Sequence, residues 1–377
     1  MNLSSELEQM GHKIIIFTPK PAARKEVSNF VHPGIQIKYI PSIPAMVYPN
    51  LRLGVPVSPD AVKKIRALDI DVIHVHSALT VGLGGLLIGK ILKIPVIGTQ
   101  HTYAMEEDFL EVIQLHYVTK QISSFLWKYT EIMLNQCDHV IAPMEMIKKD
   151  LIRHGIKPPI TILPNTIQPR SIEKVSLTAL SQLRKKLGLS KQVVLFVGRL
   201  SKEKSIDTLL HSFKIVKKKK KHVSLLIIGD GPQAKPLLRL AKRLGIFENV
   251  VFTGELDQKT LLTKGYFQLA DLFATASTTE VQPVSLIEAF YFGLPLAGVA
   301  KLGSLEMVKG IGLLSSPGSK VSLAKNMLSI LNSKQLRKSL SEKSQEEYKT
   351  RYEPSKISQA YIDICQTLLN SIRETKF

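Results

Sequence analysis

The sequence predicts an α/β protein of two doubly wound, Rossmann-like domains, and three observations support this. The chain has 377 residues, more than one ordinary hydrophobic core requires. Short apolar runs alternate with helical segments along most of it, as in the βαβ units of parallel sheets. This alternation is interrupted once, by a polar, irregular stretch from Pro164 to Ser181, and then starts again. We therefore expect two doubly wound domains that face a central crevice, because ligands bind at the carboxyl ends of such strands.

Ten apolar runs are predicted to be short buried strands. They are Lys13–Thr18, Val72–Val75, Val96–Thr99, Val140–Ala142, Thr161–Leu163, Val193–Val197, Ser224–Ile228, Val250–Phe252, Leu272–Ala274 and Leu296–Val299. The tail Ser355–Leu369 has apolar residues at helical spacing, which predicts a final amphipathic helix. We place an N-terminal domain at residues 1–170 and a C-terminal domain at 171–350. The remaining residues, 351–377, should form a helix that crosses back to the N-terminal domain.

Composition limits the classes of partner. The net charge of +20 favours polyanions, either an anionic membrane or phosphorylated substrates. Nucleic acid is not expected, because aromatic residues are 6% of the chain and do not alternate with the basic runs. Two cysteines, Cys137 and Cys365, are too few for a disulfide framework and suit a reducing cytosol. The apolar stretch Val81–Gly98 contains lysines and several glycines, so it reads as a helix followed by a strand rather than a membrane span.

The first motif whose residues could bind a ligand follows the predicted strand Val193–Val197. Gly198 at the strand's end permits a sharp turn and the close approach of a ligand. Arg199 and Lys204 lie just beyond it and could clamp a diphosphate, the first as a fork and the second as a point charge. The alternative is a loop of ordinary surface charges, and the motif alone does not decide between the two.

Two further motifs follow strands in the same half. Gly229–Gly231 reads as a tight turn between strand and helix, which is common and weak evidence by itself. Glu280 and Glu288 flank a predicted helix start near Val284, so amides at that start could bind an anion while the carboxylates accept hydroxyl hydrogen bonds. Taken alone, the two glutamates would more simply be surface charges.

The ordered set of motifs resembles one family. The set G-R-L-S-x-E-K, G-D-G-P and E-x7-E ahead of G-x-P is similar to the retaining GT-B glycosyltransferases of family 4, and the resemblance runs from about Leu3 to the tail helix. It implies that Arg199 and Lys204 hold the donor diphosphate, with Gly198 and the start of the helix at Val284 close to it. These cations would stabilise the leaving diphosphate, so no metal and no other cofactor is expected.

The resemblance also implies catalytic residues. Glu280 would bind the hydroxyls of the transferred sugar and Glu288 the nucleotide ribose. His101, at the exit of the strand Val96–Thr99, is similar to the family's active-site histidine and is expected to touch sugar or acceptor. His74 and His76 lie in or just past a buried strand and are interpreted as packing residues.

The acceptor is predicted from a subgroup resemblance. Gly98–Phe109, with Pro41–Pro56 and Asp138–Pro143, is similar to enzymes that glucosylate diacylglycerol at the membrane surface. This resemblance implies that the donor is UDP-glucose and that the anomeric configuration is retained. It also implies a cytoplasmic protein that is peripheral at the inner face of the plasma membrane. A predicted helix, Gln114–Gln136, carries Trp127 and could lie in an anionic interface, although most of its apolar stripe is expected to pack on the sheet. Two alternatives stay open: a soluble sugar or sugar phosphate as acceptor, and a catalytically degenerate relative.

Three departures from the family pattern bear on activity. The chain opens inside the helix that ends at Gly11, so we expect that the first strand and its glycine loop are missing, and that either the coding region extends upstream or the gene is decaying. Pro283 stands where the family usually has glycine and removes an N–H that could bind phosphate. Thr166 and Gln168 replace the usual glycine and aspartate.

Overall fold

The computed structural model describes residues 2–19, 33–44, 52–54, 59–76, 80–101, 119–169 and 175–374. The chain divides into two compact units. The first contains the described residues as far as Thr166, together with the chain from Pro354 onward. The second runs from Ile167 to Glu353. The final helix is thus grouped with the N-terminal half of the sequence.

The first unit contains eight strands and six helices among the described residues. The strands are β1 (Ile15–Pro19), β2 (Gln36–Ile40), β3 (Ser42–Pro44), β4 (Arg52–Gly54), β5 (Ile73–Val75), β6 (Val96–Thr99), β7 (His139–Ala142) and β8 (Ile160–Ile162). The helices are α1 (Asn2–Gln9), α2 (Pro59–Arg66), α3 (Thr80–Leu92), α4 (Thr119–Leu134), α5 (Glu145–Arg153) and, at the end of the chain, α14 (Pro354–Glu374).

Its sheets form three pieces. The order β5-β6-β7-β8 makes a four-stranded parallel sheet, β1 pairs with β2 in parallel, and β3 pairs with β4 antiparallel. One face of the four-stranded sheet is covered by α1 and α14. Leu7 of α1 and Tyr361 of α14 share a buried cluster with Ile97 and Ile141 of the sheet. Asn2 Nδ2 donates a hydrogen bond to the carbonyl of Thr166 at 2.5 Å, which holds the start of α1 beside the end of the unit.

The second unit is a parallel sheet flanked by helices. Its strands are β9 (Gln192–Val197), β10 (Val223–Ile228), β11 (Val250–Phe252), β12 (Leu272–Ala274), β13 (Leu296–Val299) and β14 (Leu313–Ser315). Its α-helices are α6 (Leu177–Lys186), α7 (Ile206–Lys219), α8 (Ala234–Arg243), α9 (Gln258–Thr263), α10 (Val284–Tyr291), α11 (Leu302–Val308), α12 (Lys320–Asn332) and α13 (Lys334–Glu347).

The strand order in this sheet is β11-β10-β9-β12-β13-β14, that of the dinucleotide-binding Rossmann fold, with a switch point beside β9. A core cluster of this unit joins the central strands to α7, α8 and α12. The strands read as continuous apolar runs because helices cover both faces of a parallel sheet. All six residues of β10, for instance, are buried.

The predicted elements agree well with the structure, with one clear error. Each of the ten predicted strands overlaps an observed strand, and the predicted tail helix is confirmed as α14. The stretch Pro164–Ser181 is wrong as an irregular linker, because α6 already begins at Leu177. Ser176 Oγ accepts a hydrogen bond from the Ala179 amide at 3.2 Å and caps that helix. The hydrophobic pattern of the sequence did not predict the start of α6, because this helix buries none of its residues.

Candidate functional site

The second unit brings its three motifs together at the carboxyl ends of its strands. Gly198 follows β9 and Gly229 follows β10, and these strands pair in parallel. The Gly198 amide donates to the Ile228 carbonyl at 3.0 Å, and the Leu200 amide donates to the Asp230 carbonyl at 2.9 Å. The first two motif loops are therefore joined through their backbones.

This close approach explains why two positions are glycine. A Cβ atom on Gly229, whose φ is 137°, would lie 2.0 Å from the Gly198 carbonyl oxygen. A Cβ atom on Gly231 would lie 2.5 Å from the Leu200 carbonyl oxygen. The G-D-G turn was weak evidence as an isolated motif, and the structure gives it a defined role: it packs the second loop against the first.

The third motif is joined to the first by both backbone and side chain. Ser277, fully buried past β12, donates from Oγ to the Glu203 carbonyl at 3.2 Å. Lys204 Nζ forms an ion pair and hydrogen bond with Glu280 Oε1, and both side chains are mostly buried. Two residues separated by 75 others in sequence thus share one contact. Arg199 is exposed immediately after Gly198.

Glu288 occupies a different part of this site. Helix α10 begins at Val284, as expected, so Glu288 lies in its second turn and Glu280 in the loop before it. Glu288 is 4% exposed, and Gln258 Nε2 donates to its Oε1 at 3.3 Å. Desolvation by burial raises the pKa of Glu288 from 4.5 to about 7, although the hydrogen bond from Gln258 opposes the shift.

Two residues that support this site were not identified from the sequence. Gly303 donates its amide to the Glu280 carbonyl at 2.8 Å, and a Cβ atom there would lie 1.5 Å from the Val281 carbonyl oxygen. Leu302, just before it, has a φ of 46°, a strained conformation for a branched side chain. Gln258 begins α9 a few residues after β11, so the rule that ligand residues follow strands could have found it. Gly303 gave no such signal.

The first unit contains a group of three histidines, one within β5 and two just past β5 and β6. His76 Nδ1 lies 2.8 Å from His101 Nε2, and their rings are stacked with centroids 5.2 Å apart. His74 Nε2 lies 2.6 Å from Thr99 Oγ1, and its ring stacks on Tyr361 of α14 at 5.3 Å. The packing role expected for His74 fits these contacts. His76, also expected to be a packing residue, instead has an edge open to solvent and contacts the candidate catalytic ring.

The surroundings of all three rings favour the neutral form. Desolvation is the main cause that lowers the pKa of His74, His76 and His101 below the ordinary histidine value. Neighbouring rings of the group add to the lowering for His74 and His76. In a neutral pair one ring nitrogen donates and the other accepts, so the tautomers of His76 and His101 are coupled.

Several predictions concern features that the described residues do not test. Residues 102–109 of the predicted acceptor segment lie outside the described ranges, as does most of Pro41–Pro56. No three His, Cys, Asp or Glu side chains cluster suitably for a metal ion in the part of the chain that the structure describes. The expected absence of a metal or other cofactor therefore stays a prediction. None of the described helices combines the length and apolarity needed to cross a bilayer.

The fold and these sites define a class. Two Rossmann-like α/β units are the make-up of GT-B glycosyltransferases, and the second unit carries basic and acidic side chains where such sheets bind nucleotides. Residues 1–170 match the family described as Glycosyltransferase Family 4, and residues 181–347 match Glycosyl transferases group 1. The chain belongs to this family of glycosyltransferases.

Known relatives support the assignment. The chain is 32% identical over 301 residues to the alpha-monoglucosyldiacylglycerol synthase of Streptococcus pneumoniae, a match that covers 78% of this chain and 65% of that protein's length. It is 31% identical to the enzyme of the same name from Acholeplasma laidlawii, over 78% of this chain and 74% of the relative. It is also 25% identical to a GDP-mannose-dependent alpha-mannosyltransferase of Corynebacterium glutamicum, over 82% and 69% of the two chains.

Solved structures confirm the fold. Anabaena HepE in complex with UDP and glucose superposes with a TM-score of 0.75 at 18% identity, covering 97% of this chain and 94% of that one. A glycosyltransferase from Rickettsia africae gives a TM-score of 0.75 at 15% identity, with 98% and 93% covered. At such identities the likeness establishes the GT-B architecture alone.

Proposed function

We propose that the protein is a retaining hexosyltransferase that moves glucose from UDP-glucose to diacylglycerol. The observation that carries the proposal is the contact between Lys204 and Glu280. A sugar and its leaving phosphate are joined through a single oxygen atom, so the residues that bind them must be neighbours. Lys204 is the candidate for the diphosphate and Glu280 for the sugar hydroxyls, and in the structure these side chains touch.

The remaining donor contacts follow from the same geometry. Arg199 adds a second positive charge beside Gly198, where the backbone allows a phosphate to approach. The amide of Val284 at the start of α10 would add a donor, although Pro283 has none to offer. Glu288 would accept hydrogen bonds from the ribose hydroxyls, which favour its charged form. The leaving diphosphate would act as the base in a reaction that retains the anomeric configuration of the sugar. Such a reaction requires no carboxylate nucleophile in the site.

Support for glucose and diacylglycerol comes from the two relatives named as alpha-monoglucosyldiacylglycerol synthases. The net charge of +20 suits an enzyme that meets its acceptor at an anionic membrane. We place it as a peripheral protein at the cytoplasmic face of the plasma membrane. His101, kept neutral, would donate a hydrogen bond to the sugar or the acceptor without introducing a full charge.

A second candidate has a different acceptor. The chain is 24% identical over 385 residues to the N-acetyl-alpha-D-glucosaminyl L-malate synthase of Bacillus anthracis, with 99% of this chain covered. The name of that relative points to a small soluble acceptor. A transferase for a soluble sugar, sugar phosphate or hydroxy acid is therefore the alternative that the test must separate.

The test is a matrix of donors and acceptors assayed with the full chain. UDP-glucose, UDP-galactose, UDP-N-acetylglucosamine and GDP-mannose would each be offered to diacylglycerol in mixed micelles and to soluble acceptors. We expect product from UDP-glucose and diacylglycerol, with an α-linkage by NMR. Glu280→Gln serves as the low-activity control. Product formed only with soluble acceptors would overturn the lipid assignment, and no product from any donor would support a degenerate relative.

A further inference from the structure

The first unit carries large apolar side chains on the outside of two helices. Leu83, Leu87 and Ile91 on α3 are 38%, 43% and 56% exposed, and Phe125 and Ile132 on α4 are 70% and 54% exposed. The spacing of the α3 residues is i, i+4, i+8, which places them in one stripe along the helix. These five side chains are called the outer face below.

Helix α3 turns its smallest residues inward. A Cβ atom on Gly85 would meet Val75 at 3.1 Å, and one on Gly89 would meet Val96 at 2.3 Å. The helix backbone therefore lies close to β5 and β6. The buried side of α3 carries Leu86 and Ile88 beside these glycines, while the stripe of Leu83, Leu87 and Ile91 is exposed, so the helix is apolar on both sides.

Helices α3 and α4 lie on the same side of the sheet. Val96 and Gly98 point to one face of β6, since side chains two residues apart in a strand share a face. Val96 contacts Gly89 of α3, and a Cβ atom on Gly98 would lie 2.9 Å from Leu134 at the end of α4. Lys90 Nζ donates to Gln136 Oε1, which connects the exposed side of α3 to the residues just after α4. The two parts of the outer face thus belong to one surface of the unit.

The charge on this surface is positive. From Thr80 to Lys93 the chain has no acidic residue, and Lys90 and Lys93 are exposed. On α4, Lys128 is exposed and pairs with Glu131 at 2.8 Å. Apolar side chains flanked by lysines are the composition of surfaces that sit in the headgroup region of anionic bilayers.

We propose that the outer face docks on an anionic phospholipid bilayer. Its apolar side chains enter the boundary between headgroups and acyl chains, while Lys90 and Lys93 contact lipid phosphates. This proposal rests on the proposed function, because an enzyme that glucosylates diacylglycerol must reach that lipid in a membrane. The docking itself depends only on the described residues of the first unit.

The other basic candidates lack this combination. The run Lys217–Lys221 lies at the end of α7, and no large apolar side chain of that helix is exposed. Trp127, the anchor that the sequence suggested, is 9% exposed and stacks on His154 at 3.7 Å. Neither therefore offers a surface that could enter a bilayer.

The experiment measures binding to vesicles of phosphatidylcholine with and without phosphatidylglycerol. We compare the unaltered chain with Leu87→Gln/Ile91→Gln and, as a second variant on the other helix, Phe125→Gln/Ile132→Gln. The matched control is Leu177→Gln/Val321→Gln, which removes two residues of the second unit that are 84% and 69% exposed. Folding is checked by circular dichroism and thermal unfolding.

We expect each outer-face variant to bind anionic vesicles at least about tenfold more weakly, since each side chain buried in the acyl boundary is worth roughly a factor of ten. The control should change less than about twofold, and binding should weaken as salt rises. Vesicle binding that is unchanged in both outer-face variants would overturn the proposal. So would loss of a solution dimer, by sedimentation velocity, with vesicle binding intact.

A parallel measurement separates this proposal from the proposed function. Affinity for UDP is measured by calorimetry without vesicles and should be the same in the unaltered chain and in every variant. If the chain transfers no glucose to diacylglycerol yet its vesicle binding follows the expected pattern, the proposed function fails while the docking surface stands. If transfer in detergent micelles is normal and the variants bind vesicles like the unaltered chain, the docking surface fails alone.

Discussion

Lys204 and Glu280 form a mostly buried ion pair in the second unit, although the sequence analysis gave them separate partners in the donor. In the absence of donor each neutralises the other, so neither charge is left uncompensated where it is shielded from water. A bound sugar diphosphate would offer phosphate oxygens to Lys204 and hydroxyl donors to Glu280. The pair is therefore a preformed place for the bond between sugar and phosphate.

The first prediction separates the two members of this pair. Lys204→Ala should weaken UDP binding by roughly 10- to 100-fold, since a hydrogen bond between charged groups is worth about 1.5–3 kcal/mol. Glu280→Gln should change UDP affinity less than about threefold but reduce turnover at least about a hundredfold, because its expected partners are on the sugar. Calorimetry with UDP and steady-state kinetics measure the two effects.

Lys202→Ala is the control for this prediction. Lys202 is an exposed lysine of the same short turn, two residues before Lys204. Its loss removes the same unit of charge from the loop without touching the ion pair, so UDP affinity should stay within about twofold. Equal weakening by Lys202→Ala and Lys204→Ala would mean that only the general charge of the loop matters.

The second prediction concerns Glu288 and the pH dependence of stability. Its pKa is raised from 4.5 to about 7 in the folded chain, so the folded state holds this proton more tightly than the unfolded state does. The resulting stabilisation is complete below the pKa that Glu288 has in the unfolded chain. It is lost as the pH rises through the pKa that Glu288 has in the folded chain. Glu288→Gln removes the effect. The stability of the unaltered chain relative to this variant should fall by about 2.5 kcal/mol from about pH 5 to pH 8, measured by urea unfolding.

A constant difference between the two chains across this pH range would show that Glu288 titrates normally. Comparing the two chains at each pH cancels the contributions of the other titrating groups. The difference therefore isolates this one carboxyl.

The third prediction uses the same carboxyl to test nucleotide binding. If the ribose hydroxyls donate to Glu288, they favour its charged form, and UDP binding should release about half a proton at pH near 7. Calorimetry in buffers of different ionisation enthalpy measures this release. Glu288→Gln should abolish it and weaken UDP binding. Release that persists in the variant would assign the proton to another group, including the nucleotide phosphates.

The sequence predicted the parts of this molecule that depend on local pattern. Every strand of the second unit except β14 was predicted from its apolar run, and the helix start at Val284 followed from spacing. The joining of the motif loops was not predictable, because it depends on backbone contacts between residues distant in sequence. Gly303 illustrates this: its importance comes from the Val281 carbonyl, which only the fold brings close.

The fourth prediction tests that contact. Gly303→Ala should lower the midpoint of thermal unfolding and abolish transfer activity, because the Cβ atom would force the backbone at Val281 and the loop of Glu280 to move. Gly310→Ala is the matched control: this glycine has a φ of 85° but no atom within 4 Å of a Cβ, so it should cost only about 1 kcal/mol of backbone strain. An active Gly303→Ala protein would show that the loop has room to adjust.

The fifth prediction concerns His76 as the residue that orients His101. The two ring nitrogens lie 2.8 Å apart and both rings have lowered pKa values, so one neutral ring donates to the other. His76→Phe keeps a ring of similar shape but removes the hydrogen bond. The ring of His101 would then lose its fixed tautomer, and kcat should fall by about tenfold. KM for the donor should change little, because His101 is not expected to bind the nucleotide.

His76→Asn places an amide where Nδ1 was and should restore most of kcat, a rescue that a purely packing role would not give. His101→Ala provides the lower limit of activity, and adding His76→Phe to it should cause no further loss. If His76→Phe and His76→Asn are equally impaired, or if their effects add fully to that of His101→Ala, the two histidines act independently.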